Sequence, residues 1–169
     1  MNKEVYLIRH GQSEANVALD LDNPNSYYDA KLTSIGKKQA QNTQKKLSNI
    51  DFDLFLCSPL TRALQTFDLI FPNLSNEAVI LPFVREHSLC SSEVGRQPSI
   101  LAKEFPEFKF NNLNDYWWND NKEINEKKII SESIEDLDKR VLIFKKWIYN
   151  RSEKRIALVS HGTFISRII

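Results

Sequence analysis

Three short apolar runs in this chain break off in the same manner. Val5-Tyr6-Leu7-Ile8 leads into Arg9-His10-Gly11, and Leu54-Phe55-Leu56-Cys57 into Ser58-Pro59-Leu60-Thr61-Arg62. Ile156-Ala157-Leu158-Val159 leads into Ser160-His161-Gly162. Continuous apolar runs of this length, rich in β-formers, read as strands buried on both faces of a sheet. Val79-Ile80-Leu81, ended by Pro82, is a further strand candidate. Helical spacing fills the intervals. Thr33 or Ser34 can cap a helix carrying Ala40, Thr43, Leu47 and Ile50, with Lys37, Lys38, Gln41, Lys45 and Lys46 on a solvated face. Pro59 suits the first turn of a helix that carries Arg62, Ala63, Thr66, Phe67 and Ile70 and stops before Pro72. Ser133 and Asp136 resemble a capping box, and Ile134, Leu137, Val141, Phe144 and Ile148 follow at three-four spacing. A last helix begins at Thr163. The alternation predicts an α/β fold, a mostly parallel sheet with helices on both faces in a three-layer α/β/α sandwich.

The remaining stretches are less regular. Residues 17–31, with Asp22-Asn23-Pro24-Asn25 at their centre, read as a surface loop. Residues 88–130 form an insertion punctuated by Gly95 and Pro98, with a short helix expected over 99–105. Its aromatics, Phe105, Phe108, Phe110, Tyr116, Trp117 and Trp118, predict a flap packed down on the body, and Asn119 to Lys128 an exposed loop. At 169 residues the chain reads as one domain, residues 1–169, large enough for a core. Its formal net charge of +1 excludes the basic excess that nucleic-acid binding draws on, so any cationic site is local. Cys57 and Cys90 have no metal-like spacing and read as free thiols, Cys57 buried as a small hydrophobe. No leader is visible after Asn2-Lys3-Glu4, and no apolar stretch approaches the ~20 residues of a membrane span. The expectation is a soluble cytoplasmic protein with no membrane partner; the sequence carries no reading of its oligomeric state.

If the runs are parallel neighbours, Arg9, His10, Arg62 and His161 converge on one crevice at the carboxyl ends of the strands, where open α/β sheets bind ligands. Gly11 would let the backbone turn sharply and a substrate approach closely. Two arginines hold a phosphate bidentately at any physiological pH, and the following helix N-termini add backbone donors. Taken singly, an arginine at a strand end usually makes a surface ion pair and a core histidine a plain hydrogen bond. Here two of only three histidines occupy the same strand-end position before a glycine. The set lacks the carboxylates or thiolates of a zinc or magnesium sphere, and its guanidinium groups would repel a cation. No metal and no other cofactor is therefore expected. An imidazole beside cations suits phosphoryl transfer, with His10 attacking phosphorus and splitting one step into two. A proton for the leaving oxygen calls for a carboxyl opposite the nucleophile. Glu86 follows the third strand; its alternative is a surface carboxylate paired with Arg85. His87 could contact substrate or sit on the surface, and the surface is the preferred reading.

Leu7-Ile8-Arg9-His10-Gly11-Gln12-Ser13-Glu14-Ala15-Asn16 resembles the signature of the histidine phosphatase superfamily, the phosphoglycerate mutase-like fold of branch 1. Agreement continues through Leu32-Thr33-x-x-Gly36, Ser58-Pro59-Leu60-x-Arg62-Ala63-x-x-Thr66 and Arg85-Glu86 to Val159-Ser160-His161-Gly162. The resemblance implies that His10 becomes phosphohistidine. Arg9, Arg62 and His161, with Gly162 at the same strand end, would bind the phosphoryl group and Asn16 would add a hydrogen bond. It also implies that Glu86 serves as proton donor and then base. Cys90, Glu93, Gly95, Phe105-Pro106 and Trp117-Trp118 look more like the phosphoglycerate mutase-like phosphatases of fungi and plants than the glycolytic mutases. In the mutases the insertion supplies basic residues for a bisphosphate; here it offers mainly Arg96, Lys103 and Lys109 amid acids and aromatics. The chain stops eight residues after His161, where the family continues through another helix, so a shortened C-terminus is expected.

The leading expectation is a metal-independent phosphomonoesterase, of histidine acid phosphatase type, acting on a small phosphorylated substrate. The alternatives are a phosphoglycerate mutase or phosphotransferase, and a catalytically silent module that binds a phospholigand or a protein.

Overall fold

The computed structural model describes residues 3–20, 23–120, 122 and 128–169. Among these residues four strands, β1 (Glu4–Arg9), β2 (Leu54–Cys57), β3 (Val79–Ile80) and β4 (Arg155–Ser160), form one sheet. Its order is β1-β4-β2-β3, and every pairing is parallel. Among the described residues six α-helices accompany it: α1 (Glu14–Asp20), α2 (Ser34–Leu47), α3 (Thr61–Ile70), α4 (Pro98–Glu104), α5 (Ile134–Tyr149) and α6 (Gly162–Ile168). The strand period of two separates the sheet's side chains into two cores. Phe55, Cys57, Ala157 and Val159 pack with Ala40 of α2 and with Ala63, Leu64 and Phe67 of α3. Leu54, Leu56, Ile156 and Leu158 pack with Leu137, Val141 and Phe144 of α5 and with Phe164 of α6. This is the expected α/β sandwich.

The caps follow the sequence closely. Thr33 Oγ1 accepts from the Gly36 amide at the start of α2, and Ser133 Oγ from the Asp136 amide at the start of α5. Three readings need correction. The β1 strand is only partly buried, because it lies at a margin of the sheet, whereas β4 in the middle is buried from Ile156 to Ser160. Residues 17–20 continue helix α1, which starts where Ser13 Oγ accepts the Asn16 amide; the Asn and Asp residues beyond it drew the reading towards loop. Asp22 lies outside the described residues. Asp29 and Ala30, also read as surface loop, are buried. Pro59 stands before α3 rather than in its first turn, and no N-cap side chain closes that helix. Asp29 does so instead, accepting from the Thr61 amide at 2.8 Å.

The insertion packs down as expected. Phe108, Phe110, Leu113, Trp117 and Trp118 are buried in the same core as Phe67. Gly95 permits this close contact, since a Cβ there would stand 2.3 Å from the Trp117 ring. The expected short helix is α4. Of the expected loop from Asn119 to Lys128, residues 121 and 123–127 lie outside the described residues. Among the described residues no helix is long and apolar enough to cross a membrane.

Candidate active site

The topology brings the three polar strand ends together. β1 and β2 flank β4, with Arg9 in register with Ser160 and Cys57 with Val159. The ladder extends one residue further on each side, His10 N–H to Ser160 O and Ser58 N–H to Val159 O, both at 3.0 Å. The chain then turns away, and the strand ends face a cavity of about 300 Å³. Arg9, His10, Asn16, Arg62 and Glu86 all line it. Gly11 serves this arrangement differently from expectation. Its φ is not positive, and what approaches it is α2: a Cβ on Gly11 would lie 2.4 Å from the Gly36 carbonyl oxygen. The two glycines let α2 dock against the start of the site.

His10 is buried and held in one tautomer. Its Nδ1 lies 2.7 Å from the Gly11 carbonyl oxygen, which can only accept, so Nδ1 carries the proton. Nε2 is left with its lone pair, and Arg62 Nε donates to it at 3.3 Å. Burial first, then the Arg62 charge, lower the His10 pKa to about 3, so the imidazole is neutral across the physiological range. A neutral imidazole is the nucleophilic form, and its Nε2 lone pair, held by a long hydrogen bond from Arg62 at the cavity wall, becomes free to attack when that N–H turns to a substrate oxygen.

Arg62, on the first turn of α3, is buried and spread over three partners. Beside His10 it donates through Nη1 to the Ser92 carbonyl at 2.7 Å and through Nη2 to Glu93 at 3.2 Å. Arg9 is exposed at the rim, and among the described residues it makes no hydrogen bond or ion pair. His161 is fully buried behind His10, with ring centroids 5.1 Å apart and its Nε2 2.7 Å from Ser58 Oγ. Burial, followed by the Arg62 charge, holds its pKa well below the ordinary value. Gly162 opens α6 against the Arg9 side chain, and Thr163 reaches the cavity. Asn16 accepts the Ser13 amide and hydroxyl on Oδ1, both at 3.0 Å, which leaves its amide N–H groups uncommitted among the described residues.

Glu86 does not pair with Arg85, whose guanidinium faces Glu132 at 3.6 Å. Its carboxylate accepts the Thr163 and Phe164 amides at the start of α6, each at 3.1 Å, and its own neighbour's amide, that of His87, at 2.8 Å. His87, read as a surface residue, is half-buried, lines the cavity and donates through Nε2 to the Glu132 carbonyl at 2.9 Å.

Three residues named in the sequence without a site role contribute to the site. Glu93 is buried at the cavity wall as the ionic partner of Arg62. Cys90, a free thiol as expected, lines the cavity and donates to Glu93 at 2.9 Å. Burial raises the Cys90 pKa, and the hydrogen bond to Glu93 adds to it. Thr66 Oγ1 accepts the Gly11 amide at 3.1 Å and bonds back to the Arg62 carbonyl at 2.7 Å, tying β1 to α3. The spacing of Cys90 and Glu93, three apart around a single 3₁₀ turn, is the capping signal that could have marked Glu93.

Known proteins of similar sequence or fold are numerous. A probable phosphatase of Schizosaccharomyces pombe is 26% identical over 98% of this chain and 76% of its own. Phosphoglycerate mutase-like protein 1 of Arabidopsis thaliana is 27% identical over 96% of this chain and 69% of its own. The crystal structure of a putative alpha-ribazole-5'-P phosphatase from Escherichia coli superposes with a TM-score of 0.66 at 29% identity. It covers 98% of this chain and 77% of that one. The model of the histidine phosphatase superfamily, branch 1, matches residues 5–169. With His10 and Arg62 in contact at the ends of β1 and β2, the chain belongs to the histidine phosphatase superfamily, branch 1.

Proposed function

We propose that the protein is a metal-independent phosphomonoesterase that works through a phosphohistidine at His10. The observation that carries this reading is the fixed tautomer of His10: Nδ1–H on the Gly11 carbonyl, and the Nε2 lone pair beside Arg62 at the wall of an open cavity. In the first step Nε2 attacks phosphorus and the ester P–O bond breaks. Arg9 and Arg62, with the Asn16 amide, take the charge of the non-bridging oxygens, and His161 supports them from behind. Glu86 in its protonated form gives its proton to the leaving oxygen. In the second step Glu86, now a carboxylate, takes a proton from water as the water attacks phosphorus. The P–N bond breaks, orthophosphate leaves and His10 is restored. Relatives named as phosphatases and as mutase-like proteins support phosphate-ester chemistry in general.

Hydrolysis is preferred to a mutase reaction because of where the insertion's cations lie. Arg96 is engaged by Asp29 and Glu104, Lys103, Lys109, Lys122 and Lys128 are exposed, and among the described residues none of the insertion's cations lines the cavity. The insertion contributes Glu93 there instead, which opposes a second anionic group. The test is turnover of p-nitrophenyl phosphate with a chelator present. Phosphate release should persist and should vanish in His10→Ala. Delivery of the phosphoryl group to 3-phosphoglycerate rather than water would favour the mutase, and binding without turnover the silent module.

A further inference from the structure

The segment that carries Glu86 has little regular structure of its own. β3 ends at Ile80, and Pro82 to Val84 make a single 3₁₀ turn. What fixes the segment comes from α5 and the residue before its cap. Arg140 on α5 is buried, and its guanidinium donates to the carbonyls of Phe83 at 2.8 Å, Arg85 at 3.0 Å and Glu86 at 3.2 Å. The same fork grips the Glu132 carboxylate at both oxygens, at 2.5 and 2.6 Å. Glu132 then reaches the next two residues: its amide donates to the Ser88 carbonyl at 2.8 Å, and its carbonyl accepts from His87 Nε2 at 2.9 Å. The Arg140 side chain and the Glu132 backbone, with Ser160 Oγ donating to the Val84 carbonyl and Ser88 Oγ to the Ile130 carbonyl, thus hold residues 83–88, while α6 holds the Glu86 carboxylate from the other side.

A contribution to stability does not by itself account for an ion pair at this place. The Glu132 and Arg140 side chains are only 7% and 8% exposed, and a well-packed apolar pair of similar volume stabilises a fold as well as a buried ion pair or better. What an apolar pair cannot do is receive three carbonyl oxygens and a carboxylate at once, which takes the planar, five-donor fork of an arginine. Burial works to raise the Glu132 pKa, but the hydrogen bond and charge of Arg140 outweigh it and keep the carboxyl below its ordinary value, so the pair is ionised.

We infer that Arg140 and Glu132 are positioning residues that set the Glu86 carboxyl against the leaving oxygen of the substrate. This rests on the reading of Glu86 as the proton carrier. A displacement of about 1 Å at such a group costs roughly 10²-fold in rate.

The test uses two substrates of different leaving group and the ratio of their kcat/KM values, which report the step that cleaves the ester. An alkyl phosphate such as glycerol phosphate needs a proton on its leaving oxygen, whereas 2,4-dinitrophenyl phosphate does not. Glu86→Gln is the reference, with Arg140→Lys and Glu132→Gln as test variants; Glu132→Gln keeps its backbone contacts should Arg140→Lys fail to fold. Both test variants should lose roughly 10²-fold on the alkyl phosphate and less than about tenfold on the dinitrophenyl ester, following Glu86→Gln. Equal losses on both substrates, or none, while Glu86→Gln remains sensitive to the leaving group, would overturn the positioning role and leave the role of Glu86 standing. If Glu86→Gln itself is insensitive to the leaving group, the assignment of Glu86 fails and the positioning role falls with it.

Discussion

At the scale of single residues the site depends on a histidine kept neutral. The His10 pKa of about 3 lies below the 6.5 of an unperturbed imidazole, so between these values the unfolded chain binds more protons than the folded one. The stability gained from a neutral His10 is complete above pH 6.5 and is lost as the pH falls towards 3. Urea unfolding at pH 7.5 and 4.5 checks this: the wild-type protein should lose about 2–3 kcal/mol more between the two than His10→Gln does. Equal losses would mean that His10 is not held neutral. Glu93 gives a second expectation, because it competes with a bound phosphoryl group for Arg62. Glu93→Gln should lower the melting temperature without phosphate and tighten inhibition by orthophosphate; a weaker phosphate complex would show that Glu93 orients Arg62 rather than competing for it. His10 and Arg62 were legible in the sequence because each stands where an apolar run stops. Glu93 was not, since its tie to Arg62 spans 31 residues and starts from a stretch with no periodicity.

At the scale of elements, the contacts that shape the site are made where segments cross. The start of β1's loop and the start of α2 touch through Gly11 and Gly36; a Cβ on Gly36 would meet the Gln12 carbonyl oxygen at 2.1 Å. Backbone atoms cannot step aside as a side chain can, so Gly36→Ala should cost on the order of 1–3 kcal/mol. The measurable result is a melting temperature several degrees lower, with kcat/KM reduced because Gly11 carries the carbonyl that orients His10. An unchanged melting point would show that α2 docks more loosely than described. The helices α2, α3 and α5 were readable from their apolar spacing and, in α2 and α5, from their caps. Helix α1 was not, because its few apolar residues run straight into Asn- and Asp-rich sequence. The capping of α3 by Asp29, 32 residues away, leaves no local trace.

At the scale of the whole molecule, parallel pairing explains why distant motifs act together. The order β1-β4-β2 places the ends of three strands side by side, and the insertion seals the far wall with Cys90, Ser92 and Glu93. The alternation of apolar runs and helical spacing was enough to foresee this convergence, since a parallel sheet puts every strand's carboxyl end at one edge. The partial exposure of β1 could not be foreseen, because strand order is settled by packing and not by the run itself. The proposed reaction turns on covalent transfer of the phosphoryl group to one nitrogen, His10 Nε2. The protein is mixed with ³²P-labelled p-nitrophenyl phosphate, quenched within a turnover, and its label located by peptide mapping under alkaline conditions, where phosphohistidine survives. The label should sit on the peptide that contains His10, should be released by acid, and should be absent from His10→Ala. An unlabelled protein that still hydrolyses the ester, or label on any other residue, would rule out a phosphohistidine at His10.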